Sequence, residues 1–116
     1  MNYQDKLYDL TQFRQLDEED PGALYKIISV FIDTTPEIVN DLNQALQQND
    51  LENLAHYAHK LKATIDILNI KPLTGVIREI EQIALSGGEI RQLYSLVKEV
   101  SDTLQRVFIE IRKEIN

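Results

Sequence analysis

Two histidines stand close together in the stretch AHYAHKLKATIDILN, which covers residues 55–69. His56 and His59 are three residues apart, and Lys62 follows three residues after His59. A neutral imidazole nitrogen is a nucleophile for group transfer and also a ligand for metal ions. The chain contains no cysteine, which excludes thiolate catalysis, disulfide bonds and cysteine-ligated metal sites. The chemistry open to this stretch is therefore that of imidazole, carboxylate and ammonium groups.

The apolar residues around the histidines follow a helical period. On a helix that turns about 100° per residue, they fall in one sector, which should be buried. The members of this sector are Leu51, Leu54, Ala58, Leu61, Ile65 and Leu68. His56 and His59 both lie well outside it, so we expect both imidazoles to be exposed.

The neighbours of His59 distinguish it from His56. One turn before and one turn after it stand Ala55 and Ala63, whose small side chains let a partner approach the ring, and Lys62 can reach toward it. The segment between residues 53 and 75 contains three lysines and a single acidic residue, Asp66. This environment suits an anionic group such as phosphoryl, or an acidic partner. An ordinary solvated surface histidine fits the same pattern, and geometry alone does not choose between the two.

Metal binding is a rival interpretation of the same helix. Glu52, His56 and His59 stand at i, i+4 and i+7, so three oxygen or nitrogen ligands share one side. A metal site in a helical bundle needs ligands that project inward from several helices, and these project outward. We therefore expect no metal site.

Composition narrows the class of protein. The chain has 116 residues, of which 43% are hydrophobic and 27% charged, which is enough for one core, so we expect a single domain over residues 1–116. The net charge of −7 disfavours nucleic acids and anionic membranes as partners. No apolar run approaches the ~18 residues of a membrane span. We expect a soluble, cytoplasmic protein.

Helix start and stop signals divide the chain. We predict a helix start at Asp20 and Pro21, a second start at Pro36 capped by Thr34 or Thr35, and a third at Asp50. Further boundaries are expected at the NIKP sequence, residues 69–72, and at the SGGE sequence, residues 86–89. The apolar stripe after residue 89 predicts the longest helix. Short connections favour an all-α, antiparallel up-down four-helix bundle, with a short N-terminal helix in YDLTQFRQL.

The segment AHKLKATIDILN, residues 58–69, resembles the phosphorylation motif of histidine phosphotransfer (Hpt) domains, commonly AHxLKGxxxxxG. Ala58, His59, Leu61 and Lys62 match it. The preceding segment FIDTTPEIVNDLNQALQQNDLENL and the later SGG turn also resemble the family, so the likeness covers most of the chain from residue 24 onward. Ala63 and Asn69 replace the two glycines of the motif.

The resemblance implies a phosphorelay intermediate. His59 is expected to accept a phosphoryl group from a receiver-domain aspartate, with Lys62 stabilising the charge, while His56 has no counterpart in the motif. The partners implied are receiver domains of response regulators or hybrid kinases, which carry the Mg²⁺. We expect a monomer without an intrinsic cofactor or kinase site. The expected docking residues are Ala55, Lys60, Ala63, Asp66 and Ile70. An Hpt-like module that docks receivers without accepting phosphate is the alternative.

Overall fold

A computed structural model describes residues 6–115 of the chain, and within this range it is all-helical. This confirms the predicted all-α class. The helices are α1 (Thr11–Glu19), α2 (Ala23–Gln47), α3 (Leu51–Ile67), α4 (Lys71–Ser86) and α5 (Ile90–Arg112). None of the helices in residues 6–115 is long and apolar enough to cross a membrane.

The four long helices contact one another in a closed ring. Helix α3 packs against α2 and α4, and α5 packs against α4 and α2, while α1 packs against α2. The buried side chains form one cluster to which every long helix contributes. Those buried most completely include Ile28, Leu42, Leu54, Leu61, Ile65, Leu73, Ile77, Ile80, Leu93 and Leu104. The helix that carries His56 and His59 is thus held between two neighbours.

The predicted helix start at Pro36 is wrong. Helix α2 continues through this proline and is 25 residues long, which also makes it longer than the 23-residue α5. Proline inside a helix removes one backbone hydrogen bond and costs about 3 kcal/mol. Both halves of α2 bury side chains in the same core, with Phe31 before the proline and Leu42 after it. Burial on this scale, about 2 kcal/mol per large apolar side chain, offsets the cost.

The start of α2 also differs from the prediction. Asp20 is the C-cap of α1 and does not cap α2. The N-cap of α2 is Gly22, whose φ of 94° lies in the left-handed region that glycine adopts readily. The capping carboxylate comes from Asp17, which accepts hydrogen bonds from the backbone N–H of Gly22 (3.0 Å) and Leu24 (3.2 Å). A side chain of α1 therefore fixes the first turn of α2.

The boundaries of α3 and α4 are confirmed. Asp50 is the N-cap of α3 and accepts a hydrogen bond from the Asn53 backbone N–H at 3.2 Å. Pro72 lies in the first turn of α4, where its missing N–H has no partner to lose. Helix α4 ends at Gly87, whose φ is 70°. Local signals thus delimit the two helices that build the candidate site.

The two ends of the described chain meet at one carboxylate. Glu114 accepts hydrogen bonds from Lys6 Nζ (2.8 Å), Tyr8 Oη (2.9 Å) and the Arg14 guanidinium. Burial alone would raise the pKa of Glu114, but these hydrogen bonds outweigh it and lower that pKa to about 2. The segment before α1 is also held to the α3 end by the Asp9 N–H, which donates to the Leu68 carbonyl at 2.9 Å.

Candidate functional site

The two histidines lie on the solvent side of α3. The His59 side chain is 67% exposed, and His56 is exposed one turn earlier. The apolar sector predicted for this helix is buried, apart from Leu51, which is partly exposed. The prediction of two exposed imidazoles is therefore confirmed. Exposure alone still leaves both histidines open to a partner.

A contact with α4 separates His59 from His56. The His59 Nδ1 lies 3.0 Å from Glu81 Oε2, and Lys62 Nζ donates to Glu81 Oε1 at 2.7 Å. One carboxylate thus holds both residues that the sequence singled out, and its own side chain is only 16% exposed. We refer to His59, Lys62 and Glu81 as the imidazole–carboxylate cluster.

The protonation state of the cluster follows from its contacts. The hydrogen bond from Lys62 is the main cause that lowers the pKa of Glu81, against a smaller opposing effect of burial, and the contact with His59 lowers it further. An ionised carboxylate only accepts hydrogen bonds, so the hydrogen shared with His59 is the one on Nδ1. A neutral ring in this tautomer keeps its lone pair on Nε2, which is the form required of a nucleophile.

Sequence reasoning missed Glu81, although a signal for it exists. The connection between α3 and α4 is centred on Asn69, and His59 and Glu81 stand at similar distances from it along the chain, ten residues before it and twelve residues after it. Residues at similar distances from a short turn meet when two helices fold back on each other. Counting outward from the turn would have paired the two residues.

A second ion pair lies farther along the same helices. Arg78 donates to both carboxylate oxygens of Asp66, at 3.1 and 2.6 Å, and these hydrogen bonds lower the pKa of Asp66. Asp66 is exposed, as expected of a docking residue, but α4 already neutralises its charge. Its repulsion of an anion at His59 is correspondingly reduced.

Two of the expected docking residues are wrong. Ile70 is 0% exposed, because it caps α4 at the turn and points into the core, and Ala55 is 5% exposed, because it belongs to the core cluster. A helical wheel of α3 alone shows neither effect. Lys60 and Ala63 are exposed beside His59, as predicted.

The second departure from the motif has a structural reason. Asn69, which stands where the motif has a glycine, has a φ of 51°. Asparagine tolerates this left-handed conformation better than most residues other than glycine. The turn after α3 therefore keeps the backbone that the glycine would provide.

The rival interpretation assigned a metal site to Glu52, His56 and His59. Within residues 6–115, no group of three or more histidine and acidic side chains is arranged to hold a metal ion, and this includes Glu52, His56 and His59. Instead, Nδ1 of His59 is occupied by Glu81.

An apolar groove of about 410 Å³ lies where α3 faces α2, between α1, α2 and the end of α3. It is lined by Phe13, Lys26, Ile27, Val30, Phe31, Thr34, Thr35, Thr64, Ile67 and Leu68. Val30 is 59% exposed and Ile67 58%, and Leu16 of α1 is 45% exposed. Ile67 lies two turns beyond His59, so the groove adjoins the face of α3 that carries the imidazole. The sequence prediction did not include it.

Comparison with known protein families gives one match. The model of the Hpt domain, the histidine phosphotransfer domain, matches residues 26–109, from α2 into α5. This chain belongs to the Hpt domain family. Comparison with curated proteins and with solved structures found no match.

Membership of the family confirms the resemblance described above and gives the site a chemical context. The Hpt domain is a histidine phosphotransfer module of phosphorelays, and members act as phosphotransfer carriers rather than as kinases. The match contains α3 and α4, and with them the complete imidazole–carboxylate cluster. Helix α1, which supplies Phe13 to the groove, lies outside it.

Proposed function

We propose that this Hpt domain relays a phosphoryl group between the aspartates of receiver domains, with His59 as the residue that carries it. One observation supports this choice above all: the ring is 67% exposed while Glu81 holds its Nδ1, so Nε2 keeps a lone pair that a partner can approach. His56 is also exposed, but no hydrogen bond to its ring is found within residues 6–115.

The transfer follows from this geometry. Nε2 of His59 attacks the phosphorus of a receiver phospho-aspartate in line, the N–P bond forms, and the P–O bond to the aspartate breaks. The receiver's Mg²⁺ and lysine stabilise the phosphoryl oxygens from one side. Lys62 supplies a positive charge from the other, because its side chain is 27% exposed and lies one turn from His59. Phosphohistidine is energy-rich, so the transfer runs in both directions.

The proposal makes the protein a carrier without an intrinsic cofactor or a kinase site of its own. The Mg²⁺ belongs to the receiver, and the phosphoryl group comes from the receiver's aspartate. Membership of a family of phosphotransfer carriers supports the proposal that the chain has no kinase site of its own. A cytoplasmic location and a monomeric state stay predictions.

We infer that the receiver docks over Lys60, Ala63 and the apolar groove. A standard interface covers about 800 Å² on each partner, which is a disc about 16 Å in radius. Ile67 lies eight residues after His59, or about 12 Å along the helix axis. A receiver centred on the imidazole therefore reaches the groove and covers the exposed apolar side chain of Ile67.

We also propose that residues 1–116 form one domain, in which α2 to α5 run up and down as an antiparallel four-helix bundle with α1 beside it. The closed ring of contacts, the single core cluster and the short connections between helices support this topology. The pairs His59–Glu81 and Asp66–Arg78 support an antiparallel arrangement of α3 and α4 in particular.

The function is tested by incubating the protein with a ³²P-labelled phospho-receiver and Mg²⁺. We expect an acid-labile, base-stable label on the wild type, and none on His59→Gln. The matched control is His56→Gln, which removes the neighbouring imidazole and should keep the label. A label that persists in His59→Gln, or binding of receivers without any label on the wild type, would contradict the relay and favour the docking-only alternative.

The docking surface is tested by a pair of charged substitutions. Ile67→Asp places a carboxylate in the groove, and we expect it to weaken receiver binding by at least tenfold, or about 1.4 kcal/mol. Ile109→Asp is the control, because Ile109 is 51% exposed on α5, which does not pack against α3. Isothermal titration calorimetry with the receiver compares them. Equal affinities for the two variants would place the docking surface elsewhere.

A further inference from the structure

The guanidinium of Arg78 is fixed by three hydrogen bonds and yet remains accessible. Its Nη1 donates to Asp66 Oδ1 at 3.1 Å and to the Thr74 carbonyl at 2.9 Å, and its Nη2 donates to Asp66 Oδ2 at 2.6 Å. The Arg78 side chain is nevertheless 46% exposed. A cation that is already held in one orientation loses little conformational entropy when a partner binds it.

Two N–H groups of this guanidinium stay open. An arginine has five N–H donors, which form two forks that each match the two oxygens of a carboxylate. Asp66 occupies the end fork, formed by Nη1 and Nη2, and Thr74 takes the second hydrogen of Nη1. The side fork, formed by Nε and the second hydrogen of Nη2, has no partner within residues 6–115. This side fork can bind a second carboxylate through two parallel hydrogen bonds.

The open fork lies inside the area that a docked receiver covers. Asp66 stands seven residues after His59, which places it on nearly the same face of α3 and about 10 Å along the helix axis. We propose that Arg78 binds an acidic side chain of the receiver through its side fork, and thereby determines which receivers dock. The inference rests on the proposed function, because it assumes that a receiver docks around His59.

The chemistry of the transfer supports an acidic partner. In phosphoryl-transfer sites Mg²⁺ is bound through carboxylates, and the phosphorylated residue of a receiver is itself an aspartate, so the receiver surface that meets His59 is rich in carboxylates. A cation at the edge of that surface is complementary to it. The chain as a whole carries a net charge of −7, so most of its own surface repels such a partner. Arg78 therefore helps to mark the part that attracts one.

The surface beside Arg78 is concave and partly apolar. A shallow hollow of about 530 Å³ lies on α4, and it is lined by Arg78, Glu81, Gln82, Leu85 and Ser86. Leu85 is 72% exposed and stands seven residues after Arg78, on nearly the same face of α4. Glu81, which contacts the imidazole, lies between them. An ion pair at Arg78 and an apolar contact at Leu85 thus flank the site on its α4 side.

The contact is tested by calorimetry with receiver domains from the same organism, each supplied with Mg²⁺ and with beryllofluoride, which mimics the phosphoryl group on the aspartate. For the receiver that binds wild type most tightly, we expect Arg78→Ala to weaken binding about tenfold. Arg78→Lys keeps the charge but removes the fork, and it should weaken binding about fivefold. The matched control is Arg106→Ala, which should bind like wild type, since Arg106 is exposed on α5 and α5 does not pack against α3.

A charge exchange across the interface distinguishes direct contact from a general effect of charge. Arg78→Glu should weaken binding by more than about tenfold, and replacing one acidic residue of the receiver by lysine should restore part of the loss. The same receiver variant should not improve binding to Arg106→Glu. If no acidic residue around the receiver's phosphorylated aspartate shows this rescue, the proposed contact is overturned.

A measurement without a receiver shows whether Arg78 acts only in docking. Phosphoramidate, a small phosphoryl donor, should load His59 at the same rate in wild type and in Arg78→Ala. A slower loading in Arg78→Ala would show that Arg78 acts on the histidine itself and would contradict a role in selecting receivers.

The outcomes separate this inference from the proposed function. A receiver that binds wild type and Arg78→Ala equally well, and still phosphorylates His59, overturns the role of Arg78 and leaves the relay standing. A receiver that distinguishes the two proteins but never produces phosphohistidine at residue 59 supports the role of Arg78 and contradicts the relay. If no receiver binds wild type, both are wrong.

Discussion

Glu81 and Glu114 make the same kind of cluster with different consequences. Each carboxylate is largely enclosed, with side chains 16% and 11% exposed, and each accepts hydrogen bonds from side chains of another segment. Glu114 joins residues 6–14 to the C-terminal end, across about a hundred residues of chain. Glu81 joins neighbouring helices, and one of its partners is a largely exposed imidazole. The comparison shows that the partners differ in kind: those of Glu114 hold distant chain segments together, whereas Glu81 contacts the residue proposed to carry the phosphoryl group.

The largest expected effect concerns the stability that Glu114 provides. Glu114→Gln removes the charge that Lys6 and Arg14 bind, and hydrogen bonds to charged groups contribute about 2 kcal/mol. We expect the free energy of unfolding in urea to fall by about that amount. Phosphoryl transfer to His59 should stay within about threefold of wild type, because Tyr8 and Leu10 remain buried and keep α1 in place.

Glu81→Gln is the matched control for that experiment, and it should show the opposite pattern. Glu81 is bound by two side chains, against three for Glu114, and one of the two is the largely exposed His59, so the free energy of unfolding should change by less than about 1 kcal/mol while the tautomer of His59 changes. If Glu81→Gln destabilises the protein as much as Glu114→Gln does, the two clusters are both structural and the contrast between them is lost.

A smaller effect is expected from acid, and it concerns the charge of Glu114. The pKa of Glu114 is lowered from 4.5 to about 2, so its ionised form stabilises the folded state. This contribution is complete above pH 4.5 and is lost as the pH falls toward 2. The difference in unfolding free energy between wild type and Glu114→Gln should therefore shrink over this interval. A difference that stays constant from pH 6 to about 2 would show that the charge of Glu114 does not stabilise the fold.

The sequence predicted those parts of the fold that depend on local chemistry. Asp50 caps α3 with its own side chain, Pro72 fits the first turn of α4, and Gly87 adopts the positive φ that ends it. Pro36 misled the prediction because its effect is not local: burial of Phe31 and Leu42 on both sides holds α2 together. Propensity predicts a boundary only where tertiary packing does not oppose it.

The residues of the candidate site were also predictable only where they depend on a single helix. The exposure of His59 and the proximity of Lys62 follow from the period of one helix, and the sequence was sufficient for them. Glu81 comes from another helix, so finding it required knowing how α3 and α4 face each other. Ile70 was mistaken for a surface residue for the same reason. A helical wheel of one helix does not show how the neighbouring helices pack against it.

The central claim is that the phosphoryl group resides on Nε2 of His59, and locating it in the unmodified chain is the most direct test. Wild-type protein labelled with ¹⁵N-histidine is phosphorylated by a phospho-receiver with Mg²⁺, and NMR detects which ring nitrogen couples to phosphorus. We predict coupling to Nε2 of His59, with the hydrogen retained on Nδ1, and an unchanged His56. Coupling at His56, or at Nδ1 of His59, would contradict the account.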